Sequence, residues 1–172
     1  MTEVQISQCP LFATLDPSEC RLISEMMSAC CYEAGESIIR EGEETTSLYL
    51  ITTGECLVTK QSSNGHSHEL DTLPPGTVFG EISFFCPGPH SATVVATSRV
   101  TIFSLSRDRF LELEIERPAA ALKITKHATA TLAERLRRMD KWTCELVENA
   151  STPDHHREWH QFRSQLYSEW NF

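Results

Sequence analysis

Hydrophobic positions change period twice along this chain. Between residues 9 and 27 they fall at Leu11, Leu15, Leu22, Ile23, Met26 and Met27, with Asp16 placed as an N-cap, Pro17 at the first helical position and Glu19 at the third. A short N-terminal helix is predicted there. From Tyr32 the pattern shifts to short β-prone runs at 37–40, 48–52, 55–60, 69–73, 91–96 and 100–105, punctuated by Gly35, Gly42, Gly54, Gly65 and Gly76. Many short strands at near-regular spacing predict a closed roll or sandwich. Helical spacing returns at Ser106, a cap for a helix over 107–113, and again at Pro118, which opens a long helix reaching about Glu148.

Within that last helix Leu122, Thr125, Thr129, Leu132, Leu136, Met139, Thr143 and Leu146 keep a strict three–four spacing. This is the seam of a coiled coil, sustained over more than three heptads. A helix merely resting on the roll would account for Leu122 to Leu132 but not for the pattern continuing to Leu146. At 1.5 Å rise, a helix of roughly 30 residues spans about 45 Å. A homodimer along this helix is the expectation, with three threonines in the seam keeping the interface modest. Beyond it Ser151-Thr152-Pro153-Asp154 breaks the helix, and Trp159, Phe162, Leu166, Tyr167 and Trp170 predict an amphipathic tail that packs on the roll, on the other subunit or on an unknown protein partner. The organisation read this way is a β-roll with flanking helices over 1–117, a long helix over 118–148 and a tail over 149–172.

Charge narrows the partners. The chain carries a net charge of −9 over 172 residues, and residues 1–117 hold seven Lys/Arg against seventeen Asp/Glu. An acidic roll repels phosphate backbones and offers no basic stripe, so DNA is not an expected partner. No run approaches the roughly 18 apolar residues a membrane span needs, and Met1-Thr2-Glu3 is not a basic leader. A cytoplasmic address without membrane attachment is expected. Seven cysteines, an odd number with Cys30 and Cys31 adjacent, fit reduced thiols better than a disulfide framework.

The chemistry concentrates in one segment. Phe79-Gly80-Glu81-Ile82-Ser83-Phe84-Phe85 reads as a glycine turn opening one helical turn, Cys86-Pro87-Gly88-Pro89 ends it, and His90-Ser91-Ala92-Thr93-Val94-Val95-Ala96 follows as a strand. Backbone N–H groups at such a turn can receive an anion. This segment resembles the phosphate-binding cassette of the cyclic nucleotide-binding domain family. The runs Tyr32–Glu43 and Leu48–Glu55 resemble the first half of the same family, so the likeness covers roughly residues 9–140. It implies an α+β fold: an antiparallel, jelly-roll-like β-roll with an N-terminal helix, the cassette turn and a long C-terminal helix for dimerisation. It also implies a non-enzymatic regulatory or sensor module whose ligand is cyclic AMP or cyclic GMP, with no cofactor. Gly80 and the N–H groups of Ile82 and Ser83 would meet the phosphate, Ser91 and Ala92 would complete its cradle, and Glu81 would hold the ribose. Arg135, counted from Pro118, lies near the family's base-contacting position; its plainer reading is a solvated charge beside the seam. The family's bacterial transcription factors carry a helix-turn-helix after the long helix, and the remaining 24 or so residues are too few for one.

His90 departs from the pattern, standing where the family places an arginine on the phosphate. No Lys or Arg occurs from Gln61 to Ser98. Losing a charge-assisted bond weakens binding by roughly tenfold to a few thousandfold. A protonated His90 would restore charge, so affinity is expected to rise as pH falls. A changed ligand, such as another small anion, is equally expected from this departure; the alternative is a ligand-free module, its cassette kept for the roll's stability, acting through dimerisation or a protein partner.

Three other chemistries are weaker. His66-Ser67-His68-Glu69 resembles a cupin metal motif, but the carboxylate follows at once, and a polar hairpin around Asn64-Gly65 is the better reading. His155, His156 and His160 lack a carboxylate or cysteine at ligand spacing. Cys9, Cys20, Cys30 and Cys31 could be imagined around an iron–sulfur cluster of a redox sensor, though without a tight glycine-spaced group. No metal site and no catalytic constellation is expected.

Overall fold

A computed structural model describes residues 9–62 and 64–150, with Ile6, Trp159, Gln161 and Ser164 as single positions; along the last helix side chains are described to Glu145. A 3₁₀ turn at Pro10–Phe12 leads into α1 (Pro17–Met26). The Asp16 carboxylate accepts from the N–H groups of Ser18 and Glu19, and Glu19 accepts from the Asp16 N–H, completing the expected capping box. Those contacts, the Ser18 hydroxyl foremost, hold the Asp16 carboxyl below its ordinary range.

Eight strands follow: β1 (Ser28–Tyr32), β2 (Ser37–Ile39), β3 (Ser47–Thr53), β4 (Cys56–Gln61), β5 (Ser67–Leu73), β6 (Val78–Phe79), β7 (Thr93–Ala96) and β8 (Val100–Ser106). They form two four-stranded antiparallel sheets, ordered β1-β8-β3-β6 and β2-β7-β4-β5. This is the α+β roll the sequence predicts. Two of its strands were not predicted. β1 is Ser-Ala-Cys-Cys-Tyr, with neither β-branched residues nor apolar alternation, and it exists because β8 pairs along its full length. β6 is only two residues long and pairs with β3.

Two cores divide the apolar residues. Ile39, Ile51, Cys56, Phe79, Val94, Ala96, Val100 and Ile102 fill the space between the sheets. Leu48, Leu50 and Leu105, from the other face of the first sheet, pack with Phe12, Ile23 and helical residues. Because β3 faces both cores, Leu48 to Ile51 are all buried, and the run is continuously apolar rather than alternating.

Between β6 and β7 lies the short helix α2 (Glu81–Phe85); after β8 come α3 (Arg107–Glu116) and α4 (Pro118–Ala150). The Ser106 hydroxyl caps α3 by accepting from the Arg109 N–H. The first compact unit runs through Ala128, past the boundary drawn from sequence at Arg117. Ala120, Ala121, Ile124 and Ala128 of α4 enter the helical core, and Lys123 donates to both Glu19 oxygens at 2.7 and 2.9 Å. The docked stripe is therefore the alanine-rich one, not the Leu122–Leu132 stripe; Leu122 is exposed. Small side chains let the helix approach closely.

The second unit begins at Thr129. There Leu136, Met139 and Trp142 are exposed, Leu132 is half-buried, and the Thr143 hydroxyl donates to the Met139 carbonyl. Leu146's side chain and the aromatic tail apart from Trp159 lie outside the described residues, as do His155, His156 and His160. Among the described residues no helix is long and apolar enough to cross a membrane.

Candidate functional site

Gly80 sets the site's geometry. It caps α2 at φ +80°, and a Cβ there would sit 2.7 Å from the Ser47 carbonyl oxygen and 3.0 Å from the Tyr49 ring. Only glycine meets both demands. Glu81 follows and is buried, with Ser83 and Phe84 also buried and Ile82 exposed. Phe84 and Phe85 both pack edge-on against Phe110 of α3, at 5.2 and 5.7 Å between ring centroids. The Arg107 guanidinium donates to the Phe84 carbonyl, tying the end of α2 to the start of α3. Arg107 drew no attention in the sequence, since its partner is a backbone atom 23 residues away.

His90 is held from every side. Its N–H donates to the Glu43 carbonyl and its carbonyl accepts from the Gly42 N–H, both at 2.9 Å. Nε2 lies 2.6 Å from the Thr45 hydroxyl and Nδ1 lies 3.1 Å from the Ser83 hydroxyl. Two hydroxyls, each able to donate or accept, satisfy a neutral imidazole in either tautomer. The residue is 7% exposed. Burial pushes its pKa below the ordinary histidine value, with the nearby Glu43 charge opposing in part. The ring thus bridges the cassette and the 42–45 loop, each of its nitrogens facing a hydroxyl. Burial thus weighs against a protonated His90 standing in for arginine.

Besides Arg107, whose guanidinium is on the Phe84 carbonyl, a second cation reaches the cassette from outside its own segment. Lys60, at the end of β4, donates from Nζ to the Ser91 carbonyl at 2.7 Å and lies 3.7 Å from Glu41. Glu41 is itself placed by the Gln61 N–H on its carboxylate and by the Thr93 hydroxyl, which accepts from its N–H. The window from Gln61 to Ser98, empty of Lys and Arg, stops one residue short of Lys60. Ser91 is exposed and Ala92 half-buried at the entrance to β7. Gly80, Glu81, Ile82, Ser83, His90, Ser91 and Ala92 all belong to the first compact unit, while Arg135 belongs to the second and is exposed there.

Among the described residues the other candidate chemistries do not assemble. Cys9 and Cys20 are buried among the helices, whereas Cys30 is half-buried and Cys31 exposed on β1. Desolvation raises the Cys9 thiol, and the same effect pushes Cys56 up to about 11. His66 and His68 are exposed at the β4–β5 hairpin. Among the described residues no three His, Cys, Asp or Glu side chains gather as a metal site.

The sequence profile of the family described as "Cyclic nucleotide-binding domain" matches residues 30–116. The chain belongs to the cyclic nucleotide-binding domain family. Its β-roll and cassette coincide with that match. The "CRP-like cAMP-activated global transcriptional regulator" of Mycobacterium tuberculosis is 25% identical over 142 residues, covering 83% of this chain and 62% of that protein. A "cAMP-dependent protein kinase regulatory subunit" of Aspergillus niger is 33% identical over 113 residues, 66% of this chain and 27% of the subunit. Among solved structures, the catabolite activator protein of Thermus thermophilus superposes with a TM-score of 0.73 at 31% identity, over 80% of this chain and 62% of that one. The chain therefore spans about six-tenths of the length of the bacterial regulator and about a quarter of the kinase subunit. By name the first two of these relatives are a transcriptional regulator and a regulatory subunit.

Proposed function

We propose that this domain binds cyclic AMP or cyclic GMP in the cassette at 79–93 and acts as a regulatory sensor rather than an enzyme. The observation that carries the reading is Glu81, a carboxylate only 8% exposed, fixed directly after a glycine whose backbone no other residue can adopt without strain. A buried acid at that point in a roll of this family is suited to accept from a sugar hydroxyl. Ser91, Ala92 and the first-turn N–H groups of α2 are the candidates for the cyclic phosphate. With His90 neutral, binding weaker than that of an arginine-bearing site follows. The tie between α2 and α3 through Arg107 and the three phenylalanines gives ligand occupancy a route to the helices.

Dimerisation is part of the same proposal. Leu136, Met139 and Trp142 are exposed along α4, and apolar residues repeated on one helix favour a second helix as cover. Calorimetric titration with cyclic AMP and cyclic GMP tests the ligand: saturable binding of one of them is expected. Absence of heat and of competition at millimolar concentration contradicts the proposal and leaves the interaction-module reading.

A further inference from the structure

β4 carries its inward-facing residues at alternate positions. Cys56 is fully buried and Val58 packs against the core between the sheets. They pair with Ala96 and Val94 of β7, both buried, in unbroken register through Thr59 and Thr93. The register shift between β4 and β5 falls where Leu70 is inserted on β5, so it leaves the alternation of β4 intact. The next position of that parity is Lys60. An apolar stripe facing the roll's interior thus ends in an ammonium group, one residue beyond the Thr59–Thr93 pair and 2.7 Å from the Ser91 carbonyl.

We infer that Lys60, delivered from β4 rather than from the cassette's own loop, supplies the positive charge that a bound cyclic phosphate meets. The inference rests on the cyclic nucleotide reading and names the phosphate's partner within it. An ammonium has three donors. One is on Ser91, and a second faces Glu41 at the length of a loose ion pair. The third remains for a ligand oxygen at Ser91 and Ala92. Lysine acts here as a point charge and not as the planar fork of arginine, so it neutralises the phosphate without fixing two of its oxygens. Without ligand, Glu41 balances Lys60; with ligand, the two anions compete for one cation. Glu41 is thus a built-in brake on affinity.

The test uses the full chain and measures affinity for cyclic AMP, cyclic GMP and adenosine in wild type and variants. Lys60→Met is expected to weaken cyclic nucleotide binding roughly tenfold or more and to flatten its salt dependence. Lys60→Arg is expected to retain binding. Glu41→Gln, which keeps an oxygen for the Gln61 N–H, is expected to tighten it. Adenosine, lacking the phosphate, is expected to bind wild type and Lys60→Met alike. Wild-type binding that Lys60→Met leaves unchanged overturns the role of Lys60 alone. Equal loss of adenosine overturns it too, by making Lys60 a wall of the pocket. A wild type that binds neither nucleotide overturns the ligand reading and this inference together.

Discussion

His90 shows how a residue's surroundings override its type. Met in the sequence, it reads as a cation in an arginine's place; in the fold it is a desolvated ring between Thr45 and Ser83. Sequence could not reveal this, because Thr45 is 45 residues away and the backbone groups of Gly42 and Glu43 that hold the residue are as distant. Its consequence is measurable. The unfolded chain's histidine takes a proton near pH 6.5, while burial lowers the folded value. Between those two pH values the unfolded state binds more protons, so stability rises with pH. The contribution is complete above about pH 6.5 and is lost as acidification proceeds to the folded pKa. The melting temperature of wild type is expected to fall more steeply from pH 7 to pH 5 than that of His90→Gln. Parallel profiles would mean that the ring titrates as freely in the folded chain as in the unfolded one.

At the scale of elements, α2 stands on its glycine. Alanine at Gly80 must accept a left-handed backbone, costing about 1–2 kcal/mol, and must also displace the Ser47 carbonyl on β3. Gly80→Ala is expected to lower the urea midpoint by at least that equivalent with an unchanged slope. A variant as stable as wild type would show that the turn relaxes into another conformation. The glycine turn, the short helix and its Pro/Gly stop were all legible, since each depends on residues adjacent in sequence. β1 was not, because its small polar residues acquire strand geometry only from β8. Lys60 was missed for a related reason. Its strand was predicted, but reading the cassette as a window in sequence excluded a side chain that arrives through sheet pairing.

For the whole molecule, the open question in the sequence was how the long helix divides between its own domain and a partner. The structure gives the domain a stripe the heptad pattern did not single out, Ala120, Ala121, Ile124 and Ala128, because alanines close to the backbone pack where leucines cannot. Leu136 and Met139 remain exposed farther along. Replacing both with Glu is expected to give a folded monomer by light scattering where wild type is a dimer, with the β-roll's circular dichroism unchanged. A wild type that is monomeric at tens of micromolar would remove the dimer from the account. The central claim is that the cassette takes a cyclic nucleotide with His90 neutral and the charge supplied from outside the 61–98 window. Calorimetric titration of cyclic AMP and cyclic GMP at pH 6 and pH 8 tests it most directly. The expected result is saturable binding of at least one nucleotide, with affinities at the two pH values within about threefold, since burial disfavours protonation of the ring. Binding that strengthens tenfold or more at pH 6 would make His90 the phosphate's cation, and no binding at either pH would remove the nucleotide.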